Sequence, residues 1–283
     1  MKDYIELTKP RITWLILMST AVGYFFGHSG AWEIWSVLHT LLGTALIASG
    51  TAALNQWYEH EADFKMRRTA GRPIPSGRLT PGRALQFGIL LSALGFAELS
   101  WGVNWLSAFL GLITLLSYLF LYTPLKSRTP LSTLVGAFPG AMPPMIGYAA
   151  SSGALDTQAW TLFAILFLWQ FPHFLAIAWM YREDYERAGI LMLPVVQPSG
   201  EATARQIVLY SLALIPVSLI PSLLGMSGNI YFVGALALGL WYLYSGIRVA
   251  RDRTILRART VLMVSVIYLP LIYGLMLLDR PSL

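Results

Sequence analysis

Residues 55–83 read NQWYEHEADFKMRRTAGRPIPSGRLTPGR and follow directly on a long apolar run. Asn55, Glu59 and Asp63 are spaced four residues apart, so on a helix their side chains lie above one another on one face. We call these three residues the oxygen stripe, and Arg67 continues the same spacing. Because ionisable groups at the end of an apolar helix are costly and usually functional, the pattern predicts a site where this helix leaves an apolar layer.

Positive charge follows the oxygen stripe, at Arg68, Arg72, Arg78 and Arg83. Oxygen ligands suit a hard divalent cation, and planar guanidinium groups suit phosphate oxygens. The combination predicts a diphosphate clamped through magnesium. In the alternative interpretation, this is an ordinary polar connection whose basic residues only fix membrane topology. The strict register of the stripe favours the functional interpretation.

The composition indicates an integral membrane protein. Of the 283 residues, 56% are hydrophobic and only 12% are charged, and the mean hydropathy is +0.59. A soluble chain would be about 25% charged. The formal charge of +6 raises the possibility of nucleic-acid binding, but the placement of the charges between apolar runs argues against it. The chain has no cysteine, which excludes disulfides and thiolate metal sites.

Stretches of about twenty apolar residues predict an all-α, polytopic membrane protein. We expect one domain over residues 1–283, and we read the first apolar run as a retained span because it lacks a small-residue cleavage site. The run at 131–150 contains three prolines, so we expect it to be kinked. The nine predicted spans are 12–28, 34–54, 84–103, 105–123, 131–150, 158–180, 206–224, 230–249 and 261–278.

The basic residues test this topology. With nine spans, 19 of the 20 Lys and Arg residues fall on one side of the membrane, and only Arg280 falls on the other. The positive-inside rule makes that side cytoplasmic, with the N-terminus inside and the C-terminus outside. We expect location in a bacterial cell (inner) membrane. The two longest polar connections, 55–83 and 181–205, then share the cytoplasmic face.

Two further groups stand out. The connection 181–205 carries acids and arginines that resemble those of the first, although solvated local ion pairs explain them equally well. His173 lies near the middle of the sixth predicted span, one residue after Pro172. A histidine at that depth serves as a metal ligand, a proton carrier or a hydrogen-bond partner to a neighbouring helix, and the last is the commonest.

Four segments resemble the protoheme IX farnesyltransferases, the haem O synthases, which are a branch of the ubiquinone-type intramembrane prenyltransferases. They are the NxxxExxxD spacing after the second span, KMRRTAGRPIPSG, YTPLKSRTPLSTLVGAFPGAMPPMIGY, and WQFPHFLAIAWMYREDYERAGILMLPVV. The resemblance runs from ELTKPR at Glu6 through the last span, and the WQFPHF and RTAGRPIPSG segments make it specific.

This resemblance implies nine helices around a central cavity that opens on the cytoplasmic side. It implies transfer of a farnesyl group from farnesyl diphosphate to a vinyl group of haem B, with addition of water and with Mg²⁺ as cofactor. The first aspartate-rich motif of the family maps onto the oxygen stripe. In the second, usually DxxxD, Tyr181 and Tyr185 occupy the two acidic places and Asp184 is adjacent. The implied partners are the lipid bilayer and a haem A synthase or terminal oxidase assembly.

We therefore expect catalytic roles for Asn55, Glu59, Asp63, Asp184 and Tyr185, of which the first three hold the metal. We expect substrate contacts from Lys65, Arg67, Arg68, Arg72, Lys126, Arg182 and His173. Two other functions remain open. A related prenyltransferase would accept a phenolic acid or quinone precursor, and a transporter would use the polar connections as gates. The absence of evident inverted halves weighs against the transporter.

Overall fold

The computed structural model describes residues 1–30 and 33–281, which form helices and connections without a β-strand. A π-helical turn, Ser117–Tyr122, joins the helices Trp105–Leu116 and Thr123–Leu125. The α-helices, in chain order, are α1 (Lys2–Leu7), α2 (Pro10–Gly27), α3 (Ile34–Lys65), α4 (Pro81–Gly102), α5 (Trp105–Leu116), α6 (Thr123–Leu125), α7 (Ser132–Gly140), α8 (Pro143–Ser152), α9 (Thr157–Met180), α10 (Arg182–Arg187), α11 (Leu193–Val196), α12 (Glu201–Leu223), α13 (Asn229–Arg251) and α14 (Ile255–Leu278).

Seven segments in the described ranges are long and apolar enough to cross a membrane. They are α3, α4, the continuous stretch Trp105–Leu125, α9, α12, α13 and α14. This confirms the all-helical, multi-span architecture. The other two predicted spans correspond to α2, which has 18 residues, and to the shorter helices α7 and α8.

The prediction of one kinked helix over 131–150 is wrong, because the chain makes two helices there. Helix α7 ends at Gly140, and α8 begins at Pro143. Pro143 and Pro144 have no amide hydrogen, so neither can donate to a carbonyl of the preceding turn. Proline is well suited to the first turn of a helix, where that donor is not needed, and the helix therefore restarts there.

Helix α3 carries the oxygen stripe but ends before Arg67. Its last helical residue is Lys65, and Met66 has an extended backbone with φ −97° and ψ 126°. The carbonyl of Asp63 accepts the Met66 amide at 3.3 Å and the Thr69 hydroxyl at 2.9 Å, which closes the helix end. The expectation that Arg67 continues the stripe is therefore wrong, because the chain has left the helix by that residue.

Helices α2 and α8 approach so closely that only glycine fits between them. A Cβ added to Gly23 would lie 1.9 Å from the carbonyl oxygen of Pro144, and one added to Gly147 would lie 1.8 Å from that of Thr20. Small residues permit this kind of backbone approach between helices in membranes. The contact packs α8 against α2 although α7 and α8 are individually short.

The long polar connections meet at one end of the bundle. The backbone amides of Arg67 and Arg68 donate to the carboxylate of Asp184 at 3.3 and 3.2 Å. The amide of Leu191 donates to the carbonyl of Lys126 at 2.7 Å. Residues from three connections are thereby fixed next to one another, at the end where the oxygen stripe emerges.

Candidate functional site

The π-helical turn places two residues beside the oxygen stripe. The hydroxyl of Thr123 donates to the carbonyl of Tyr118 at 2.8 Å, five residues back. Pro124 follows in the first turn of α6, where its missing amide hydrogen is tolerated. Short π-helical turns inside α-helices are frequently found at functional sites. Here the turn brings Thr123 and Lys126 next to α3.

Each residue of the oxygen stripe contacts a basic side chain. The Asn55 side-chain oxygen accepts from the Lys9 ammonium at 3.2 Å. Glu59 accepts from Lys126 at 2.7 Å, and Asp63 accepts from Arg72 at 2.6 Å. The three cations that face the stripe are Lys9, Arg72 and Lys126, and we call them the inner cations. The amide nitrogen of Asn55 also reaches the Thr123 hydroxyl at 3.5 Å.

Lys9 has a left-handed backbone with φ 48° and ψ 61°, the only positive φ at a non-glycine residue in the described part of the chain. Such a conformation costs on the order of 1–3 kcal/mol and clusters at functional sites. Burial, together with the positive charge of Arg72, lowers the pKa of Lys9 to about 7. The chain therefore bends in an unfavourable conformation that places a partly desolvated amine against Asn55.

Opposing influences act on the pKa of the Lys126 ammonium group. Burial alone would lower the pKa of its ammonium group, but the facing Glu59 carboxylate and neighbouring tyrosines hold that pKa well above its usual value. Its nitrogen lies 4.4 Å from the ring centroid of Tyr122, a cation–π distance. This lysine is therefore a permanent positive charge at the stripe.

Asp63 offers an oxygen for a metal ion. The residue is 1% exposed, its Oδ2 is paired with Arg72, and its Oδ1 is buried without a hydrogen-bond partner in the described structure. A buried carboxylate oxygen without a donor is costly, and a bound cation would satisfy it. The described residues contain no group of three or more His, Cys, Asp or Glu side chains placed to hold a metal. The stripe, with two carboxylates and one amide, fits an ion that is completed by ligands from its substrate.

Arg67 and Arg68 lie apart from Arg72. They line a cavity of about 500 Å³ together with Arg182 and Arg187, and we call this the arginine pocket. Neither the oxygen stripe nor an inner cation lines it. The sequence assigned Arg67, Arg68 and Arg72 to one phosphate clamp, and the structure brings only Arg72 to the stripe. Lys65 is exposed at the end of α3.

Asp184 and Tyr185 both contact arginines of the arginine pocket. Asp184 is 7% exposed, accepts the two backbone amides of the first long connection and is paired with Arg187. The Tyr185 hydroxyl accepts from Arg68 at 3.2 Å. Asp184 therefore ties the two connections together, and its lone pairs already have donors.

His173 lies within α9, and its side chain contacts α14. Its Nδ1 is 2.8 Å from the hydroxyl of Ser265, and its ring stacks on Trp169 at 4.9 Å between centroids. The Trp169 indole in turn donates to the Ser265 carbonyl at 2.8 Å. Helix α9 continues through Pro172, so the proline does not open the helix into two segments.

Sequence reasoning missed Lys9 and Thr123 as members of the site. The sequence indicates Lys9 only as a charge that sets topology, because its contact with Asn55 joins residues 46 positions apart. The role of Thr123 depends on a π-helical turn, for which the sequence contains no clear periodic signature. Lys126 was assigned to substrate binding, and the structure places it against the stripe.

Residues 16–269 match the model of the UbiA prenyltransferase family. The chain belongs to the UbiA prenyltransferase family. The resemblance inferred from the sequence motifs is thereby confirmed. A relative of this UbiA prenyltransferase, from Solibacter usitatus (strain Ellin6076), is named protoheme IX farnesyltransferase. It is 69% identical over 292 residues, and the match covers 100% of both chains.

Solved structures share the fold of this UbiA prenyltransferase. One, described as digeranylgeranylglyceryl phosphate synthase in membranes, matches with a TM-score of 0.81 at 18% identity and covers 99% of this chain and 98% of the other. A UbiA homolog from Archaeoglobus fulgidus bound to GPP and Mg²⁺ matches with a TM-score of 0.72 at 16% identity, with coverage of 97% and 99%. At these identities the likeness concerns the fold.

Proposed function

We propose that the chain transfers the farnesyl group of farnesyl diphosphate to a vinyl group of haem B, with addition of water, giving haem O and diphosphate. The observation that carries this proposal is the full-length match, at 69% identity, to a protein named protoheme IX farnesyltransferase. The oxygen stripe and the inner cations supply the groups that a prenyl diphosphate needs.

The oxygen stripe would hold Mg²⁺ through Asn55, Glu59 and Asp63, as the unpaired Oδ1 of Asp63 supports. When bound, the ion supplies charge neutralisation to the departing diphosphate. Lys9, Arg72 and Lys126 lie within hydrogen-bond distance of the stripe, so they are placed to stabilise the negative charge that develops on the leaving group. Prenyl transfer of this kind requires no protein nucleophile.

The chemistry balances without an oxidant or reductant. The bond between C1 of the farnesyl group and the diphosphate oxygen breaks, and C1 bonds to the terminal carbon of the vinyl group. The positive charge left on the inner vinyl carbon is captured by water, which loses a proton. The apolar interior of the helical bundle accommodates the farnesyl chain and keeps bulk water from the allylic cation.

We assign His173 to the haem side of the reaction. It lies on a helix that carries the family-like segment WQFPHF, and its ring is oriented by Ser265 and Trp169. A histidine held by a second group is suited to orient a macrocycle or to take the proton released on water addition. We assign Tyr185 to the boundary between the stripe and the arginine pocket, and Asp184 to positioning of the connections.

We further infer nine membrane passes with the polar connections on the cytoplasmic side of a bacterial inner membrane. Lys9, at the start of α2, contacts the oxygen stripe, whereas the Arg280 side chain donates to the carbonyl of Phe25, near the end of α2, at 3.2 Å. This supports the inference that α2 is a full pass and that α14 ends at the far face. The product leaves as a membrane-embedded haem, so a haem A synthase or terminal oxidase assembly is the expected recipient.

The test uses purified protein in detergent with haem B, farnesyl diphosphate and Mg²⁺. We expect a haem whose mass corresponds to addition of one farnesyl group and one hydroxyl group, and loss of this product when a chelator removes the metal. Substitution of haem B by a phenolic acid or quinone precursor should give no prenylated product. Prenylation of such an acceptor, with haem B left unchanged, would replace the proposed function by that of a related prenyltransferase.

A further inference from the structure

The arginine pocket carries an excess of positive charge. Arg67, Arg68, Arg182 and Arg187 line it, opposed by the carboxylates of Glu183 and Asp184, which leaves two positive charges. Met180 and Ile255 complete one side with apolar surface. The cavity volume, about 500 Å³, lies within the roughly 300–1,000 Å³ range of small-molecule sites.

The carboxylates of the pocket offset only part of this positive charge. Asp184 accepts hydrogen bonds from two backbone amides and is paired with the Arg187 side chain, so groups of the protein already compensate its negative charge. The Arg182 guanidinium stacks on Trp179 at 4.5 Å, and that of Arg68 stacks on Tyr181 at 4.9 Å. Stacking uses the faces of these planar groups and leaves N–H edges for an anion. Such edges match the two oxygens of a carboxylate.

The pocket is also separate from the residues assigned to the diphosphate. Its lining contains no member of the oxygen stripe and no inner cation. A metal-bound diphosphate needs acidic ligands for its ion, and Asp184 already has its donors. The pocket therefore suits a metal-free anion with an apolar body.

We propose that the arginine pocket binds the two propionate carboxylates of haem B. This rests on the proposed acceptor. The propionates and the vinyl groups lie on different edges of the macrocycle, so anchoring the propionates in the pocket presents the vinyl edge away from it. The two excess positive charges match the two carboxylates, and Met180 and Ile255 contact the apolar rim. Selection of the acceptor is thereby separated from activation of the prenyl donor.

The experiment compares haem B with its dimethyl ester, which has the same macrocycle without the carboxylates. The variants are Arg182→Gln and Arg67→Gln. The Arg67 side chain is exposed, so we expect Arg67→Gln to fold normally. It therefore keeps the test informative if Arg182→Gln destabilises the protein. Arg251→Gln, which removes an exposed arginine of the same charged end outside the pocket, is the matched control. The KM for each haem and for farnesyl diphosphate is measured on folded protein, quantified by size-exclusion chromatography.

We expect each pocket variant to raise the KM for haem B about tenfold, as the loss of a charge-assisted hydrogen bond does, and to leave the KM for farnesyl diphosphate unchanged. The wild-type protein should bind the dimethyl ester at least as weakly as the single variants bind haem B, because the ester lacks both carboxylates, and the variants should not weaken binding of the ester further. A raised KM for farnesyl diphosphate with haem B unaffected would reassign the pocket to the diphosphate. Equal weakening of haem B and its ester would exclude carboxylate recognition. Failure of wild-type protein to turn over haem B at all would instead refute the proposed function.

Discussion

At the residue scale, each of the three members of the oxygen stripe accepts a hydrogen bond from a cation in a separate part of the chain. Lys9 comes from the start of α2, Arg72 from the connection after α3, and Lys126 from the end of α6. Removing one member of a buried ion pair leaves the other charge uncompensated. The inner cations thus hold the stripe together in the ligand-free protein, and they are the same groups that would face a bound diphosphate.

Asp63→Asn tests the metal role of the stripe with little change in shape. The amide keeps an acceptor toward Arg72 but loses the negative charge and the second anionic oxygen. We expect kcat to fall about 100-fold or more, as for loss of one group that stabilises transition-state charge. The measurement is haem O formation per folded molecule across a range of Mg²⁺ concentrations.

Asp252→Asn is the control for that prediction, because Asp252 also pairs with an arginine, Arg257 at 3.5 Å, but is exposed and remote from the stripe. It should retain wild-type turnover. Near-normal activity of Asp63→Asn at moderate Mg²⁺ would show that the stripe is not the metal site.

His173→Ala separates a substrate role from a packing role. If His173 serves the haem side, haem B binding or haem O formation falls while farnesyl diphosphate binding persists. Hydrogen bonds between membrane helices average about 0.6 kcal/mol, so loss of the Ser265 contact alone should lower the melting temperature only slightly. The readouts are titration of each substrate and turnover normalised to folded protein.

Ser265→Ala and Ser222→Ala provide the comparison for His173. Ser265 contacts the histidine, so its loss should weaken haem binding in the same direction but less. Ser222 donates a comparable hydrogen bond to the Gly228 carbonyl at the far end of α12. Ser222→Ala should therefore leave haem binding unchanged. Full normalised activity and unchanged haem affinity in His173→Ala would leave this histidine a packing residue.

The sequence predicted the oxygen stripe because its residues share one helix, where spacing alone determines the face. It could not predict Lys9, whose contact with Asn55 spans 46 positions and depends on a left-handed backbone at the lysine. The four-residue spacing was also extended to Arg67, past the helix end at Lys65. Local periodicity is readable from a sequence, whereas long-range pairing depends on how the helices pack.

At the scale of elements, the length of each apolar run predicts where a helix lies, but it does not predict where a helix is interrupted. The predicted span 158–180 differs from α9 (Thr157–Met180) by one residue. In contrast, the run 131–150 forms two helices because Pro143 and Pro144 start a new one. The π-helical turn before α6 was likewise not predicted, although it sets the position of Lys126 beside Glu59.

Gly147→Ala tests the close contact between α2 and α8. The added Cβ would overlap the Thr20 carbonyl, so the helices must separate. Overpacking of this kind costs about 1–3 kcal/mol. We expect a lower melting temperature in detergent and lower abundance in the membrane. Gly274→Ala, in α14, is the control because a Cβ there meets no atom within 4 Å; it should be neutral or slightly stabilising. Equal melting of the two variants would mean that α2 and α8 do not need their close approach.

At the scale of the whole molecule, nearly all basic residues lie in the connections or near the helix ends on the side that carries the oxygen stripe. Positive charge retained on the cytoplasmic side would thus place the diphosphate site where a water-soluble leaving group can be released. The apolar helices extend from that end through the bilayer, where the farnesyl chain and the haem macrocycle partition. The architecture places the ionic oxygen stripe at one end of the apolar helices.

The absence of cysteine from the chain makes this topology directly testable. Single variants Ser76→Cys and Ser199→Cys place a thiol in the two long connections, and Ala154→Cys places one between α8 and α9; all three positions are exposed. In intact cells, a membrane-impermeant maleimide should label only Ala154→Cys, and labelling of the other two should require permeabilisation. The decisive position is Ala154. If α7 and α8 together cross the membrane, residue 154 lies outside, whereas if they only dip into it, residue 154 shares the face of Ser76. Protection of Ala154→Cys in intact cells would therefore remove the pass formed by α7 and α8 and, with it, the nine-pass arrangement.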